Sequence, residues 1–307
     1  MIEITFLGTS SGIPDKRRGH PAIVLEYSSE TKDYLLFDCG EGTQLRLMMA
    51  GISFMKINKI FITHWHADHF AGLIPLLATM NLEKRKKELK IFGPEAGRFV
   101  KNILELGYFG TRFPIIPIDV KFIGDEISKI DETKDYEIFS IPTLHTVPSV
   151  AYCFKEKDRY SINLNKLKEL GLSRGSWLKK LKRDGKANFK GREVRIEDVA
   201  DIKKGLKVVY TGDTKPCDNV IKISENADLL IHDATFVEED EAVGKSHATV
   251  KDAAEIAKKA NVKELILTHF SRRYANVKDL EAGAKDVFEN TRAAYDFMKI
   301  KLKSQKL

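Results

Sequence analysis

Between positions 63 and 69 the chain reads Thr63-His64-Trp65-His66-Ala67-Asp68-His69, three imidazoles and a carboxylate in six consecutive positions. Imidazole and carboxylate are the side chains that hold a borderline divalent cation such as zinc. In an extended loop His64 and His66 point to the same side, and Asp68 and His69 come round the turn that follows. Donors so placed can reach two cations lying close together rather than one. The motif has no carboxylate base at helical spacing, which separates it from the His-Glu-x-x-His helix of zinc proteases. The plain alternative is a histidine-rich surface loop. The apolar run 57–62 just before it argues otherwise, because ligand-type side chains bunched beside a buried strand need a cation to offset them.

Further candidates follow other apolar runs. His145 follows 138–144, His269 follows 265–268, and Asp213, in Tyr210-Thr211-Gly212-Asp213-Thr214, follows 206–210. Strand ends along one sheet edge let residues distant in sequence converge. Singly, each is as well explained by a structural hydrogen bond. His247 in Ser246-His247-Ala248-Thr249 and Asp233 in His232-Asp233-Ala234-Thr235 form another pair. Such a pair can donate a proton to a leaving oxygen, with the carboxylate fixing the imidazole tautomer. It can equally be a hydrogen bond at a helix start. His20, a lone histidine before a proline, is left without a role.

The elements that must position these groups are legible from periodicity. Strand patterns occupy 1–7, 22–27, 34–38, 57–62 and 89–92, and helical patterns occupy 42–50, about 70–80 and 95–106. From 115 to 154 short apolar runs alternate with turns, as several strands would. Beyond 207 the order is strand, the Asp213 loop, helix, strand, His232-Asp233, a helix from about Thr249, a strand at 265–267 and a helix from about Lys278. Two β-rich halves faced by helices fit this order.

The chain has 307 residues, 43% hydrophobic and 31% charged, enough for a large soluble core. No apolar run approaches the roughly 20 residues of a membrane helix, and the first residues read as a strand rather than a signal peptide. Cys39, Cys153 and Cys217 are scattered and odd in number, against a disulfide framework or a cysteine zinc site. A reducing cytoplasm is the expected location. The net charge of +7 is not evenly spread. Residues 155–195 hold 14 Lys or Arg against 5 Asp or Glu, a net of +9, which leaves −2 for everything else. Leu164, Leu167 and Leu170 recur at helical spacing, as do Trp177 (or Leu178) and Leu181, with Gly171 and Gly175 between. This reads as a helical hairpin too small for its own core, projecting from the body and suited to a long polyanion. A solvated lysine-rich excursion is the bland alternative.

The pattern His-x-His-x-Asp-His, here His64, His66, Asp68 and His69, resembles the metal motif of the metallo-β-lactamase superfamily. The resemblance implies an α/β fold, an αββα sandwich forming a single domain over 1–307, with the basic arm of 155–195 inserted in it. It implies one metal held by His64, His66 and His145, another by Asp68, His69 and His269, and Asp213 bridging the two. Two Zn2+ per subunit are expected, and Mn2+ or iron suits the same ligands. Two such ions bring a shared water to hydroxide at neutral pH and offset charge building on a phosphoryl centre. Asp68 is expected to orient that water or take its proton, His247 to protonate the leaving oxygen, and Asp233 to hold His247.

The segments around Asp233 and His247 narrow the resemblance to the ribonuclease Z family, which trims the 3′ trailer from precursor tRNA. That family carries a His-Glu-Ala-Thr motif and a Ser-His-x-Thr motif; here Asp233 replaces the glutamate with a side chain one methylene shorter. Pro14-Asp15-Lys16-Arg17-Arg18-Gly19 is similar to the family's Pro-x-Lys-x-Arg-Asn loop, Gly19 standing for the asparagine. Pro14, Lys16 and Arg18 carry over, the last two as substrate-binding residues. Residues 162–185 resemble the family's tRNA-gripping arm, which implies RNA contacts by Arg174, Lys179, Lys180, Lys182 and Arg183. The arm's Gly-Pro pair appears as Gly175-Ser176. The match spans 4–270.

What the resemblance implies is a zinc-dependent endoribonuclease acting by two-metal-activated hydroxide attack. It would leave a tRNA 3′-hydroxyl and a trailer 5′-phosphate. RNA would be held by shape and phosphate contacts, in a homodimer where one subunit's arm serves the other's active site. A small-molecule phosphodiesterase of the same superfamily is the second reading, and a long basic arm is superfluous to it. A non-catalytic RNA-binding protein is the third, and the complete ligand set argues against it.

Overall fold

The structure is a computed structural model that describes residues 1–29, 32–106, 110–237 and 246–303. Its first half strings together β1 (Ile2–Gly8), β2 (Ala22–Ser28), β3 (Lys32–Phe37), α1 (Thr43–Met49), β4 (Ile57–Phe61), α2 (Ala67–Phe70), α3 (Leu73–Leu82), β5 (Leu89–Gly93), α4 (Ala96–Glu105) and β6 (Ile115–Asp119). The strands are apolar on both faces and split by period two. Ile2, Ile4, Phe6, Ile23, Leu25, Leu35 and Phe37 face one core, and Val24 and Leu36 face another. A strand buried on both sides must be covered twice. Leu47 of α1, Leu73, Leu76 and Leu77 of α3, and Val100 and Ile103 of α4 cover one side.

The second half begins with β7 (Ser128–Glu132), β8 (Tyr136–Pro142) and β9 (Val150–Glu156). It then leaves the sheet for an excursion made of β10 (Arg159–Ile162), α5 (Leu164–Glu169), α6 (Trp177–Asp184), β11 (Lys186–Phe189), β12 (Arg192–Arg195), α7 (Ile196–Val199) and β13 (Ala200–Lys203). It resumes with β14 (Lys207–Tyr210), α8 (Asp218–Ser224), β15 (Leu229–Asp233), α9 (Val250–Lys259), β16 (Leu265–Thr268), α10 (Lys278–Lys285) and β17 (Thr291–Ala293). β18 (Lys299–Leu302) returns to pair antiparallel with β1.

The two seven-stranded sheets run β18-β1-β2-β3-β4-β5-β6 and β17-β16-β15-β14-β9-β8-β7. Each is antiparallel on one side and parallel on the other: pairing turns parallel at β3–β4 in the first and at β14–β15 in the second. The sheets meet face to face over Phe6, Phe37, Phe61, Phe92, Tyr136, Tyr152, Phe154 and Tyr210, and α8, α9 and α10 cover the second sheet's far side. The layers are therefore αββα, as expected.

Three local readings need correction. Residues 70–80 are not one helix: α2 and α3 are separate, and Gly72 between them has no room for a side chain, since a Cβ there would lie 2.0 Å from the Gly40 carbonyl oxygen. The strands at 291–293 and 299–302 went unread, although Lys299-Ile300-Lys301-Leu302 does alternate. The insertion differs most. Lys155 and Glu156 belong to β9, and the excursion runs from β10 to β13, which pair with each other at its base. It also has the core it was expected to lack: Leu167, Leu172, Leu181, Ala187, Val194, Ile196 and Val199 pack together. The β11–β12 hairpin supplies the apolar partners that two short helices could not supply alone.

Candidate metal centre and cleft

The carboxyl ends of β3, β4, β8, β14, β15 and β16 open on one edge, and the candidates leave from there. The chain turns sharply after β4, so that His66 precedes the single helical turn of α2, with the His69 amide bonded to the His66 carbonyl at 2.9 Å. That turn sends Asp68 and His69 to different partners from those of His64 and His66, although the His64 and His69 rings stay 4.1 Å apart. Asp213 follows Gly212, which is left-handed (φ 58°) and so close to Thr63 that a Cβ would lie 2.6 Å from that side chain. Only glycine lets the Asp213 loop approach the histidine loop this closely. His269 itself sits at φ 65°, a costly conformation for a residue with a side chain and one typical of functional sites.

The resulting donors fall into two sets, His64, His66, His145 and Asp213, and Asp68, His69, Asp213 and His269, each within 4.8 Å. In the first, His66 Nδ1 lies 3.0 Å from His64 Nε2 and 3.1 Å from His145 Nε2, and Asp213 Oδ2 is 3.7 Å and 4.0 Å from those two Nε2 atoms. In the second, Asp213 Oδ1 is 3.3 Å from His69 Nε2 and 3.2 Å from His269 Nε2, while Asp68 Oδ2 is 3.5 Å from each. Bonds of about 2.1 Å at a tetrahedral angle separate donors by about 3.4 Å. Asp213 thus turns one oxygen to each set. Among the described residues its Oδ1 is buried without a hydrogen-bond partner, an expensive arrangement that a cation relieves. A third set, Asp213, Asp233, His247 and His269, shares two members with the others and is not a separate centre.

The electrostatics agree. Burial pushes His64 well below its ordinary pKa, and His66 and His145 also fall, which keeps their lone pairs available. Burial alone would do the same to His269, but Asp213, Asp233 and Asp68 raise it to about 10. His69 is likewise held well above its usual range, against burial, by Asp213, Asp38 and Asp68. These carboxylates hold positive charge wherever it is offered, and a divalent ion is the natural occupant.

Outer contacts orient these donors. His145 Nδ1 donates to the Ser246 carbonyl at 2.8 Å, and His269 Nδ1 meets Thr235 Oγ1 at 2.9 Å. His69 Nδ1 is 2.8 Å from Asp38 Oδ2. Asp38, wholly buried, also accepts from the Thr63 amide (2.8 Å), Thr63 Oγ1 and Tyr210 Oη (2.8 Å). Sequence reasoning read Asp38 as the end of a strand. The signal was a carboxylate closing the apolar run 35–37, the same signal that marked His145 and His269.

His247 Nδ1 is 2.9 Å from Asp233 Oδ2, so the shorter side chain reaches its partner. Asp233 Oδ1 accepts from Thr235 Oγ1 at 2.6 Å. Burial would lower His247, but Asp233 raises it. His232, the other imidazole of that segment, is fully buried and bonded through Nδ1 to the Asp233 carbonyl, away from the cleft. His66, His145, Thr146, His247, Ser11 and Gly12 border an open cleft of about 450 Å³. Arg272 and Arg273, which sequence reasoning passed over, border the adjoining hollow of about 480 Å³.

Lys16 is exposed on the loop before β2. Arg18 is not, which corrects its expected place at the substrate surface. It is 6% exposed and its Nη2 donates to the Tyr274 carbonyl at 2.6 Å, with Asp15 Oδ2 at 3.3 Å. The loop folds back over its own base and buries that guanidinium. On the excursion Arg174, Lys179, Lys180, Lys182 and Arg183 are all exposed, with Arg183 paired to Asp184 at 2.7 Å. Among the described residues no helix is long and apolar enough to cross a membrane.

Residues 194–270 match a family described as Beta-lactamase superfamily domain, and residues 2–109 match one described as Anti-Pycsar protein Apyc1. The chain is 47% identical over 277 residues to ribonuclease Z of Thermococcus onnurineus, covering 89% of this chain and 86% of that protein. It is 42% identical over 306 residues to ribonuclease Z of Pyrococcus abyssi, covering 99% and 97%. Among solved structures, the short form of human tRNase Z superposes with a TM-score of 0.71 at 28% identity, over 98% of this chain and 99% of that one. The metallo-beta-lactamase fold protein YhfI from Bacillus subtilis follows at 0.69 and 22% identity, over 97% and 98%, a likeness of fold alone.

Proposed function

The chain belongs to the ribonuclease Z family, and we propose that it removes the 3′ trailer from precursor tRNA with two divalent ions, Zn2+ being the expected pair. The observation that carries this reading is the arrangement of seven donors in two sets joined by the two oxygens of Asp213. His64, His66 and His145 would hold one ion, and Asp68, His69 and His269 the other. Bound there, two ions supply an acidified water and offset charge gathering at phosphorus.

The remaining work falls to the protein. Asp68, 13% exposed where the second set meets the cleft, orients the attacking water and takes its proton. As water oxygen bonds to phosphorus, the bond to the 3′ oxygen of the tRNA breaks. His247, its Nδ1 tied to Asp233, gives that oxygen a proton from its other ring nitrogen. The products are a tRNA 3′-hydroxyl and a trailer 5′-phosphate. Ser11 and Gly12 lie along the cleft, and Lys16, Arg272 and Arg273 offer positive charge to flanking phosphates. The excursion's exposed cations grip the tRNA body by charge and shape. A homodimer, each excursion serving its partner's cleft, is part of the proposal, as is action in the cytoplasm.

The test is cleavage of a 3′-extended precursor tRNA by the metal-loaded protein, with His66→Ala as control and product ends mapped. A single cut at the acceptor end, absent in the variant, is expected. No cut, with hydrolysis of a small phosphodiester retained, would overturn the tRNA reading in favour of a small-molecule phosphodiesterase.

A further inference from the structure

The loop between β1 and β2 borders the cleft at Ser11 and Gly12 and carries Lys16 at its exposed turn. A Cβ at Gly12 would lie 3.7 Å from Asp68 Oδ2, so the loop runs directly over the second ligand set. Its two feet are Thr9 and Gly19, beside the bond of the Ser10 amide to the Gly19 carbonyl at 2.9 Å, and both are also held by one distant side chain. Asp296 Oδ1 accepts from Thr9 Oγ1 at 2.7 Å, and Asp296 Oδ2 accepts from the Gly19 amide at 2.8 Å. Arg46 of α1 completes the clasp. It pairs with Asp296, donates through Nε to the Leu7 carbonyl and lies over the Phe297 ring at 4.7 Å. The Asp296 side chain is only 6% exposed, and its partners Thr9, Gly19 and Arg46 are not cleft residues.

The loop's far side is clipped independently to the segment that follows His269. The Ser11 amide donates to the Phe270 carbonyl at 3.0 Å, the Phe270 amide to the Thr9 carbonyl at 2.9 Å, and Arg17 Nη1 to the Ala275 carbonyl at 3.1 Å. A loop fastened at its feet by one carboxylate and along its side by the ligand-bearing segment has one position relative to the metal centre. We infer that Asp296 is a positioning residue for RNA cleavage: by holding Thr9 and Gly19 together it sets where Gly12 and Lys16 meet the substrate. This rests on the tRNA reading above. The reacting phosphodiester itself is engaged by the metal ligands and His247, which Asp296 does not touch. Loosening the feet therefore disturbs the RNA more than the chemistry.

The experiment compares the full-length, metal-loaded protein with Asp296→Asn, Thr9→Val and Thr9→Ser. Each is assayed on a 3′-extended precursor tRNA and on bis(p-nitrophenyl) phosphate, with metal content measured alongside. Misplacing a positioning group by an ångström can cost about a hundredfold, so Asp296→Asn and Thr9→Val are expected to lower precursor kcat/KM about tenfold or more, chiefly through KM. Hydrolysis of the small diester and metal content should stay within about twofold, and Thr9→Ser, which keeps the hydroxyl, should behave as the unaltered protein. Equal loss on both substrates, undiminished precursor cleavage, or Thr9→Ser as impaired as Thr9→Val would each overturn the inference. If Asp296→Asn does not fold, Thr9→Val, which removes a single hydrogen bond, decides. Failure of the unaltered protein to cut precursor tRNA would instead overturn the functional reading, and this inference with it.

Discussion

Replacing Asp38 by asparagine should weaken the second metal position selectively. The carboxylate is fully buried, and every contact it makes is as an acceptor. Oδ1 faces the Thr63 amide at 2.8 Å, and Oδ2 faces His69 Nδ1 at 2.8 Å and Tyr210 Oη at 2.8 Å. An amide has one accepting side and one donating side. Turned so that nitrogen faces Thr63, it opposes a backbone N–H that can only donate. Turned the other way, Tyr210 can rotate to accept, but His69 must then present a bare Nδ1. A neutral imidazole with a bare Nδ1 carries its proton on Nε2, the atom aimed at Asp68 and Asp213. Either arrangement leaves a buried conflict worth about 1–3 kcal/mol. At about 1.4 kcal/mol per tenfold that is roughly 5- to 150-fold in affinity for the ion His69 helps hold, in line with the effect of outer ligand partners elsewhere. The assay is a chelator competition titration with stoichiometry read by elemental analysis. One metal should leave at a chelator concentration that spares the other, and precursor cleavage should fall with it. Two metals retained with unaltered affinity would refute the role given to Asp38.

Asp68→Ala should reduce turnover far more than affinity for precursor tRNA, and a defect confined to binding would remove Asp68 from the chemistry. His247→Ala should cost about 10²- to 10⁴-fold in kcat with metal content unchanged, whereas metal loss in step with activity would make it a ligand rather than a proton donor. Changing Lys179, Lys180 and Lys182 together to glutamine should weaken precursor binding and flatten the logarithmic salt dependence by about 2 to 3, near 0.7–0.9 per lost phosphate contact. A slope unchanged by the triple substitution would show that the excursion's charge does not meet the RNA backbone. Chelating the metals should lower the thermal unfolding temperature, because Asp38, Asp68, Asp213 and Asp233 then remain crowded without their cations; an unaltered transition would contradict that electrostatic account.

Much of the site was legible because metal ligation constrains residue type and spacing together. His64, His66, Asp68 and His69 fall within six consecutive positions, and the single helical turn of α2 suffices to aim them at two sets. His145, Asp213 and His269 were legible as polar residues closing apolar runs, since parallel strands deliver their carboxyl ends to one edge. Two β-rich halves faced by helices were legible from the order of elements, and the αββα layering from the resemblance. Asp38 closes just such a run and escaped notice because it contacts His69, a candidate ligand, rather than joining either donor set, and no spacing rule links it to His69, 31 residues away.

What only the tertiary structure decided depends on contacts between distant segments. Composition located the basic charge in the excursion, but its own core arises when the β11–β12 hairpin and α7 fold against α5 and α6, a matter of packing rather than of period. Arg18 looked like a substrate cation by position in a loop motif. Burial against the Tyr274 carbonyl, 256 residues on, makes it part of the loop's frame. Asp296 carries no local signal at all: a single aspartate between two short strands acquires meaning only because β18 returns to β1 and brings it beneath both feet of the loop. Local sequence determines the elements and the chemistry that each can offer, while the return path of the chain determines which of those groups face the substrate and which hold the others in place.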